Sequence, residues 1–293
     1  MTGEPLTLAL QEPIEAALAR LRAGCGERCL SEWCFSNLYL FREVHAYRYL
    51  PGPWPAIAGR SYDGARHLMP LFEPAQAPAE VLHALAVAHG HLYPVARDQA
   101  EALAAGRFTA TESRDDADYL YRAAAFAGYA GRPLAAKRNQ LRRFLAAHRP
   151  RALPYAPALE GAAREVLAGW MAHKGRAGGE ADEAACIEAF AHAGAFGLEG
   201  FVHFDGARPI GVVLGQMLAP SVCVIRFAKG RDGDPGLYPY MFQHFCRAFE
   251  PQFGRPLHWL NFEQDMGIAG FRRSKMSYRP AALLSKLRLA PAA

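Results

Sequence analysis

Apolar residues recur along this chain in two rhythms, and each switch between them marks an element. Residues 13–21 repeat with helical spacing, with Pro13 in the first turn where its missing N–H costs nothing. Residues 31–42 form an aromatic-rich stretch that reads as a second helix with Trp33, Leu40 and Phe41 turned inwards. Residues 47–72 change to strand character. Within them Ala56-Ile57-Ala58 and His67-Leu68-Met69 flank Asp63-Gly64, a strong hairpin signal. Helices over 79–88 and 98–105 bracket a strand at 91–94. A β-prone 108–111 and an aromatic and alanine-rich 118–129 follow. Leu134, Leu141, Phe144 and Leu145 then make one face of a helix over 133–147, whose other face is cationic.

The second half repeats the plan. Residues 153–155 are β-prone, and helices are expected over 158–173 and 182–193 on either side of a flexible 175–179. Strands at 200–204 and 209–217 meet at Asp205-Gly206. A strand at 222–227, a helix at 237–249, a strand at 257–261, a helix at 267–274 and a closing strand at 276–284 complete the order. The two Asp-Gly hairpins sit about half a chain apart, which a tandem duplication explains. The expected boundary is at Pro150, giving domains 1–150 and 151–293.

Composition narrows the class. With 293 residues, 51% of them hydrophobic, the chain can build one large core or two ordinary ones. No apolar run approaches the ~18 residues needed to cross a bilayer. The first thirteen residues hold two acids and no basic segment, so they do not read as a secretory signal. The expected location is cytoplasmic, with peripheral attachment at a membrane surface as an option. Cys25, Cys29 and Cys34 have C-x3-C-x4-C spacing without the second pair that a zinc site wants. Free thiols and no metal are expected.

Charge matters only once mapped. The net charge is +5, yet Arg132, Lys137, Arg138, Arg142, Arg143, Arg149 and Arg151 fall in one segment without an acid. Arg272, Arg273, Lys275, Arg279, Lys286 and Arg288 fall in another. The remainder is net acidic, and such asymmetry points to an anionic partner.

The densest chemistry lies in NFEQDMGIAGFRRSKMSYRP, residues 261–280. Glu263 and Asp265 come where a strand ends and a helix begins, a place where loops carry polar groups between rigid elements. Met266, Ile268 and Phe271 are spaced to face inwards from that helix. This block resembles the signature near the C-terminus of the phosphatidylglycerol lysyltransferase C-terminal-domain family. Gly131-Arg132-Pro133-Leu134 with Lys137-Arg138-Asn139 resembles a second block. Phe204-Asp205-Gly206, Lys229 and Gly236-Leu237-Tyr238 are similar to weaker ones, so the resemblance spans about residues 31–286. It implies an α/β (α+β) fold of two tandem GNAT-like acyltransferase domains. The order β, α, α, β, β, β, α, β, α, β read above agrees with that fold.

Membrane-anchored members of the family move an amino acid from aminoacyl-tRNA to a phospholipid. The resemblance therefore implies an acyltransferase, with aminoacyl-tRNA as donor and an amine or hydroxyl as acceptor, a phosphatidylglycerol-like lipid among them. No further cofactor is required, because the aminoacyl ester is already activated. In that setting Glu263 would be general base or amine anchor and Asp265 its positioner. Arg272 or Lys275 would stabilise the oxyanion and Tyr278 would donate a hydrogen bond. Lys137, Arg138, Asn139, Arg142, Lys229 and Tyr238 would bind the donor or another anion. Bland alternatives stay open: an ion-pair network linking Glu263 and Asp265 to Arg272 and Lys275, a solvated helix face, and helix-start packing for Tyr238. Acyl-CoA is the alternative donor. However, in the turn from Lys229 to Gly236, Asp232 and Asp234 would face a pyrophosphate and Pro235 lacks a donor N–H. The third reading is a non-catalytic module for nucleic acid or anionic lipid.

Overall fold

The computed structural model describes residues 3–103, 107–175, 182–231, 233 and 235–292. It holds two seven-stranded, mostly antiparallel sheets flanked by helices, and the chain divides into two compact units.

The first unit comprises Met1–Asp118, Gln264–Arg272 and Leu283–Ala293. Its strands are β1 (Glu4–Pro5), β2 (Arg48–Leu50), β3 (Ala56–Arg60), β4 (Arg66–Pro70), β5 (Leu92–Ala96), β14 (Lys286–Pro291) and β6 (Phe108–Glu112), in that spatial order. The hairpin β3–β4 turns at Asp63-Gly64 as its sequence predicts, with Arg60 opposite Arg66. β4 and β5 run parallel and meet at the single pair Leu68–Leu92. Helices α1 (Gln11–Arg22), α2 (Phe35–Leu40), α3 (Ala79–His89) and α4 (Arg97–Glu101) belong here too. Leu287 and Leu289 enter a core with Leu68, Leu92, Val95 and the α3 residues Leu82 and Ala86. Strand alternation sends their neighbours Lys286 and Arg288 to the opposite face.

The second unit comprises Tyr119–Glu263 and Arg273–Ala282. The second sheet has the order β13 (Ala282–Leu284), β7 (Asp118–Arg122), β12 (Trp259–Asn261), β11 (Val222–Gly230), β10 (Arg208–Ala219), β9 (Leu198–Asp205), β8 (Pro150–Pro154). α5 (Ala123–Gly128), α6 (Ala135–Ala147), α7 (Glu160–His173), α8 (Glu183–Ala191) and α9 (Leu237–Phe253) accompany it. Phe242, Phe245 and Phe249 of α9 enter a core with Phe126 of α5, Leu141 and Phe144 of α6, Phe262 and Tyr278. From β8 to α10 the elements follow the expected order. The expected cut at 150 falls inside this unit. β7 pairs antiparallel with β12, and α5 and α6 share their core with α9, which draws residues from 119 onward to this unit. Part of the expected flexible stretch, residues 176–179, lies outside the described residues.

Two expectations near the C-terminus are corrected. Residues 276–284 are not one strand. α10 (Ala269–Met276) runs to its end there, Arg279 takes φ +58, and Pro280 has no N–H to give a ladder. β13 and β14 then join different sheets. Nor does α10 bury an apolar face: Phe271, and Ile268 just before its start, are each 45% exposed, and the helix has no buried residue. Polar bonds at its start fix it instead. Asp265 accepts the Gly267 N–H on its side chain and the Ile268 N–H on its carbonyl.

Candidate active site

In the second unit β11 and β12 pair in parallel from Val222–Trp259 to Val224–Asn261. β12 then stops while β11 continues to Gly230, so the ladder ends where the polar groups begin. The buried Asn261 side chain accepts the Glu263 N–H at 2.8 Å, bending the chain into a left-handed conformation with Glu263 at φ +56. That conformation is uncommon for a residue with a side chain and marks a position held by its surroundings. Arg226, whose side chain is fully buried, donates Nη1 to Glu263 Oε1. The Lys275 Nζ donates to the carbonyls of Phe262 (2.6 Å) and Glu263 (3.1 Å). Glu263 is thus oriented by a charge-assisted bond. Lys275 is engaged in holding the loop's main chain.

A second group of expected residues meets on an aromatic corner of the same unit. Tyr278 is buried, stacked on Phe126 at 5.1 Å and set edge-on to Phe242 at 5.6 Å. Burial raises its pKa, helped by Tyr238, which lies in the first turn of α9, 6.2 Å from Phe242. Lys137, in the first turn of α6, places Nζ 4.0 Å above the Tyr278 ring. It is half-buried, and desolvation lowers its pKa. Arg138 donates to the carbonyls of Tyr129 (2.5 Å) and Gly131 (3.1 Å). Arg138, Asn139, Arg142 and Arg143 form the solvent face of α6, with Arg132, Arg149 and Arg151 also exposed. None of these cations pairs with an acid among the described residues.

Lys229 is placed elsewhere. It lies 2.7 Å and 2.9 Å from the two Asp182 oxygens, with Nζ 3.8 Å from the centre of the Trp170 ring. Arg231 beside it pairs with Glu165 at 3.0 Å. Both cations of that turn are therefore neutralised by acids of this chain. Asp232 and Asp234 lie outside the described residues.

In the first unit Asp265 is fully buried and held by the Arg272 guanidinium, with both oxygens at 2.8 Å. Arg114 (3.4 Å) adds to Asp265, and Asp115 (2.5 Å) adds to Arg272. This is the structural network read as the bland alternative, but it takes in Asp265 and Arg272 and not Glu263 or Lys275. Gly267 is required in it: its φ is +73, and a Cβ would lie 2.8 Å from Asp115 Oδ2.

The second basic segment is divided: Arg273 and Arg279 are exposed, whereas the cations further along are not free. Lys286 is fully buried, bonded to Glu32 (2.6 Å), Asp118 (2.7 Å) and Gln264 (2.8 Å), and Arg288 pairs with Asp116 (3.0 Å) and Asp63 (2.6 Å). Sequence reasoning passed over Arg226, Glu32 and Asp118. The usable signal was a lone charge inside an otherwise apolar or aromatic run: VCVIRFA for Arg226 and SEWCF for Glu32.

The family model described as "Phosphatidylglycerol lysyltransferase, C-terminal" matches residues 27–288, and the chain belongs to that family. A conserved protein of unknown function from Bacteroides thetaiotaomicron VPI-5482 is similar in structure, with 22% identity, 99% of each chain covered and a TM-score of 0.79. L-PGS from Bacillus licheniformis is 13% identical, with 100% of this chain and 94% of that one covered and a TM-score of 0.64. FemX is 8% identical, with 99% and 97% covered and a TM-score of 0.63. At these identities the structural likeness speaks for the fold alone. Among curated proteins none matches.

Proposed function

We propose that this chain transfers an aminoacyl group from aminoacyl-tRNA to an amine or hydroxyl acceptor. The observation that carries the reading is the cationic face of α6. Its arginines lack acid partners among the described residues, and its first turn delivers Lys137 to the Tyr238–Tyr278 corner. A face of this kind suits a phosphate backbone, and an aromatic corner suits the bases or ribose at its end. Family membership supports the reading, since the matching model is that of a lysyltransferase domain. Acyl-CoA is disfavoured as donor because Lys229 and Arg231, the cations nearest the expected pyrophosphate turn, already have carboxylate partners.

Within this reading Glu263, oriented by Arg226, anchors the ammonium of the aminoacyl group. Tyr278 donates a hydrogen bond towards the developing oxyanion. Lys275 holds the main chain that presents Glu263. No described helix is long and apolar enough to cross a membrane, so a phosphatidylglycerol-like acceptor would be met at a bilayer surface.

The test is binding of a mixed aminoacyl-tRNA pool at several salt concentrations, with CoA as competitor. About four phosphate contacts give a log–log salt slope of roughly −3. Arg142→Ala with Arg143→Ala should flatten it by roughly 1.5 while leaving the fold intact. Displacement by CoA would overturn the donor assignment. Tight tRNA binding without turnover on any acceptor would make the chain a binding module.

A further inference from the structure

Aminoacyl transfer needs a group that takes the proton from the attacking hydroxyl or amine. Glu263 is tied to Arg226, and the lysines at 229, 275 and 286 are held by oxygen partners. We propose, resting on the aminoacyl-transfer reading, that Lys137 is the proton acceptor of the reaction.

Three features set Lys137 apart. It is half-buried, and its Nζ faces the Tyr278 ring with no acid or carbonyl partner among the described residues. It sits in the first turn of a thirteen-residue helix, where the backbone dipole disfavours a positive charge. Its neighbours Arg138 and Arg142 stay exposed, so the cationic face that meets the donor runs directly into it. Desolvation also lowers its pKa, which favours the neutral amine. The Tyr278 face works the other way and gives the ammonium a place to rest, so both forms are accommodated at one position.

The step balances. The neutral Lys137 amine takes the acceptor's proton as the acceptor oxygen or nitrogen bonds to the ester carbonyl carbon. The resulting ammonium returns that proton to the ribose oxygen of tRNA as the ester C–O bond breaks. The products are the aminoacylated acceptor and free tRNA, and Lys137 ends neutral.

Two measurements decide it. First, rate–pH profiles are recorded for wild type, Lys137→Arg and Lys137→Ala, using aminoacyl-tRNA with phosphatidylglycerol vesicles or ethanolamine as acceptor. Lys137→Arg keeps charge and ring contact but cannot deprotonate. It should lose 100-fold or more in rate at unchanged tRNA affinity, in line with the roughly 10²–10⁴ typical of general bases. Retention of the wild-type rate and acidic limb by Lys137→Arg would overturn the role. Second, the chain has five lysines. Reductive 13C-methylation therefore gives few resonances, and the Lys137 signal is assigned by its loss in Lys137→Arg. It should titrate below the ordinary lysine value of about 10.4, and titration at or above that value overturns the proposal whatever the activity. A wild type that leaves aminoacyl-tRNA intact with both acceptors would refute the transfer reading itself and remove the catalytic role with it, even with a low-titrating Lys137.

Discussion

Replacing Lys286 by Met tests how the first unit holds its charges. Lys286 Nζ is shared among Glu32, Asp118, Gln264 and the Ser31 hydroxyl, at 2.6 to 3.2 Å, and the side chains of Lys286, Glu32 and Asp118 are between 0% and 8% exposed. Burial works against the lysine's charge, yet Asp118 and Glu32 outweigh it and raise its pKa. Burial in turn raises the Glu32 pKa, with Lys286 opposing. Methionine fills most of the volume, so the loss is electrostatic: two carboxylates remain buried without their cation. Breaking such a pair costs about 3–5 kcal/mol, or roughly 6–20 °C in melting temperature for a unit of this size. Urea unfolding followed by pulse proteolysis, read on fragments of the first unit, measures it. Burial raises the Glu32 pKa and the variant lacks the opposing Lys286, so its stability should recover as pH falls towards the carboxylate range. Adding Glu32→Leu and Asp118→Asn should restore much of the loss, because no buried charge is then left without its partner. A single-variant loss under about 1 kcal/mol, or a loss that does not shrink on acidification, would refute the argument.

Acid sensitivity should come from His67 and His203, whose pKa values burial holds down to about 3, with neighbouring His91 and His244 adding to the effect. The unfolded chain binds these protons near pH 6.5, so their stabilisation is complete above that pH and is lost as pH falls from about 6.5 towards 3. Each contributes at most roughly 3 kcal/mol between pH 7 and 4, and His203→Leu should flatten the stability–pH slope measured by urea midpoints. Gly267→Ala should cost about 1–3 kcal/mol through its positive φ and its clash with Asp115. It should also raise hydrogen exchange at the Gly267 and Ile268 amides, and unchanged exchange would argue against the Asp265 clamp.

What was legible in the sequence was local. Asp63-Gly64 and Asp205-Gly206 announce their hairpins because only a few residue types accept the turn geometry, and both pairs form the ladders expected of them. The last strand does not form as one because Pro280 interrupts it, although the apolar residues after it have strand character. The inward helix of Ile268 and Phe271 failed for another reason. Their spacing is helical, but that spacing does not say whether a partner surface exists, and α10 is held by Asp265 instead. Arg226 escaped notice because a single charge in a strand has no period, although Glu263 needs it.

Charge shows most sharply where sequence and structure part. Two runs of like charge looked equivalent along the chain, and the element each one folds into separates them. In α6, residues 138, 142 and 143 return at helical spacing to a single side, while Leu141 and Phe144 take the core side, so the cations stay in solvent and keep their reach towards phosphate. In β14 the period is two. Leu287 and Leu289 claim the apolar core, and Lys286 and Arg288 are carried to the other face, where Glu32, Asp118, Asp116 and Asp63 meet them. Arg272 is likewise consumed by Asp265 and Asp115. Under the proposed reading, then, the α6 face grips the tRNA backbone, and Arg272, Lys286 and Arg288 take no part in it. Substitutions at Arg142 and Arg143 should change the salt slope of binding, whereas those at Lys286 and Arg288 should change stability and leave the slope untouched.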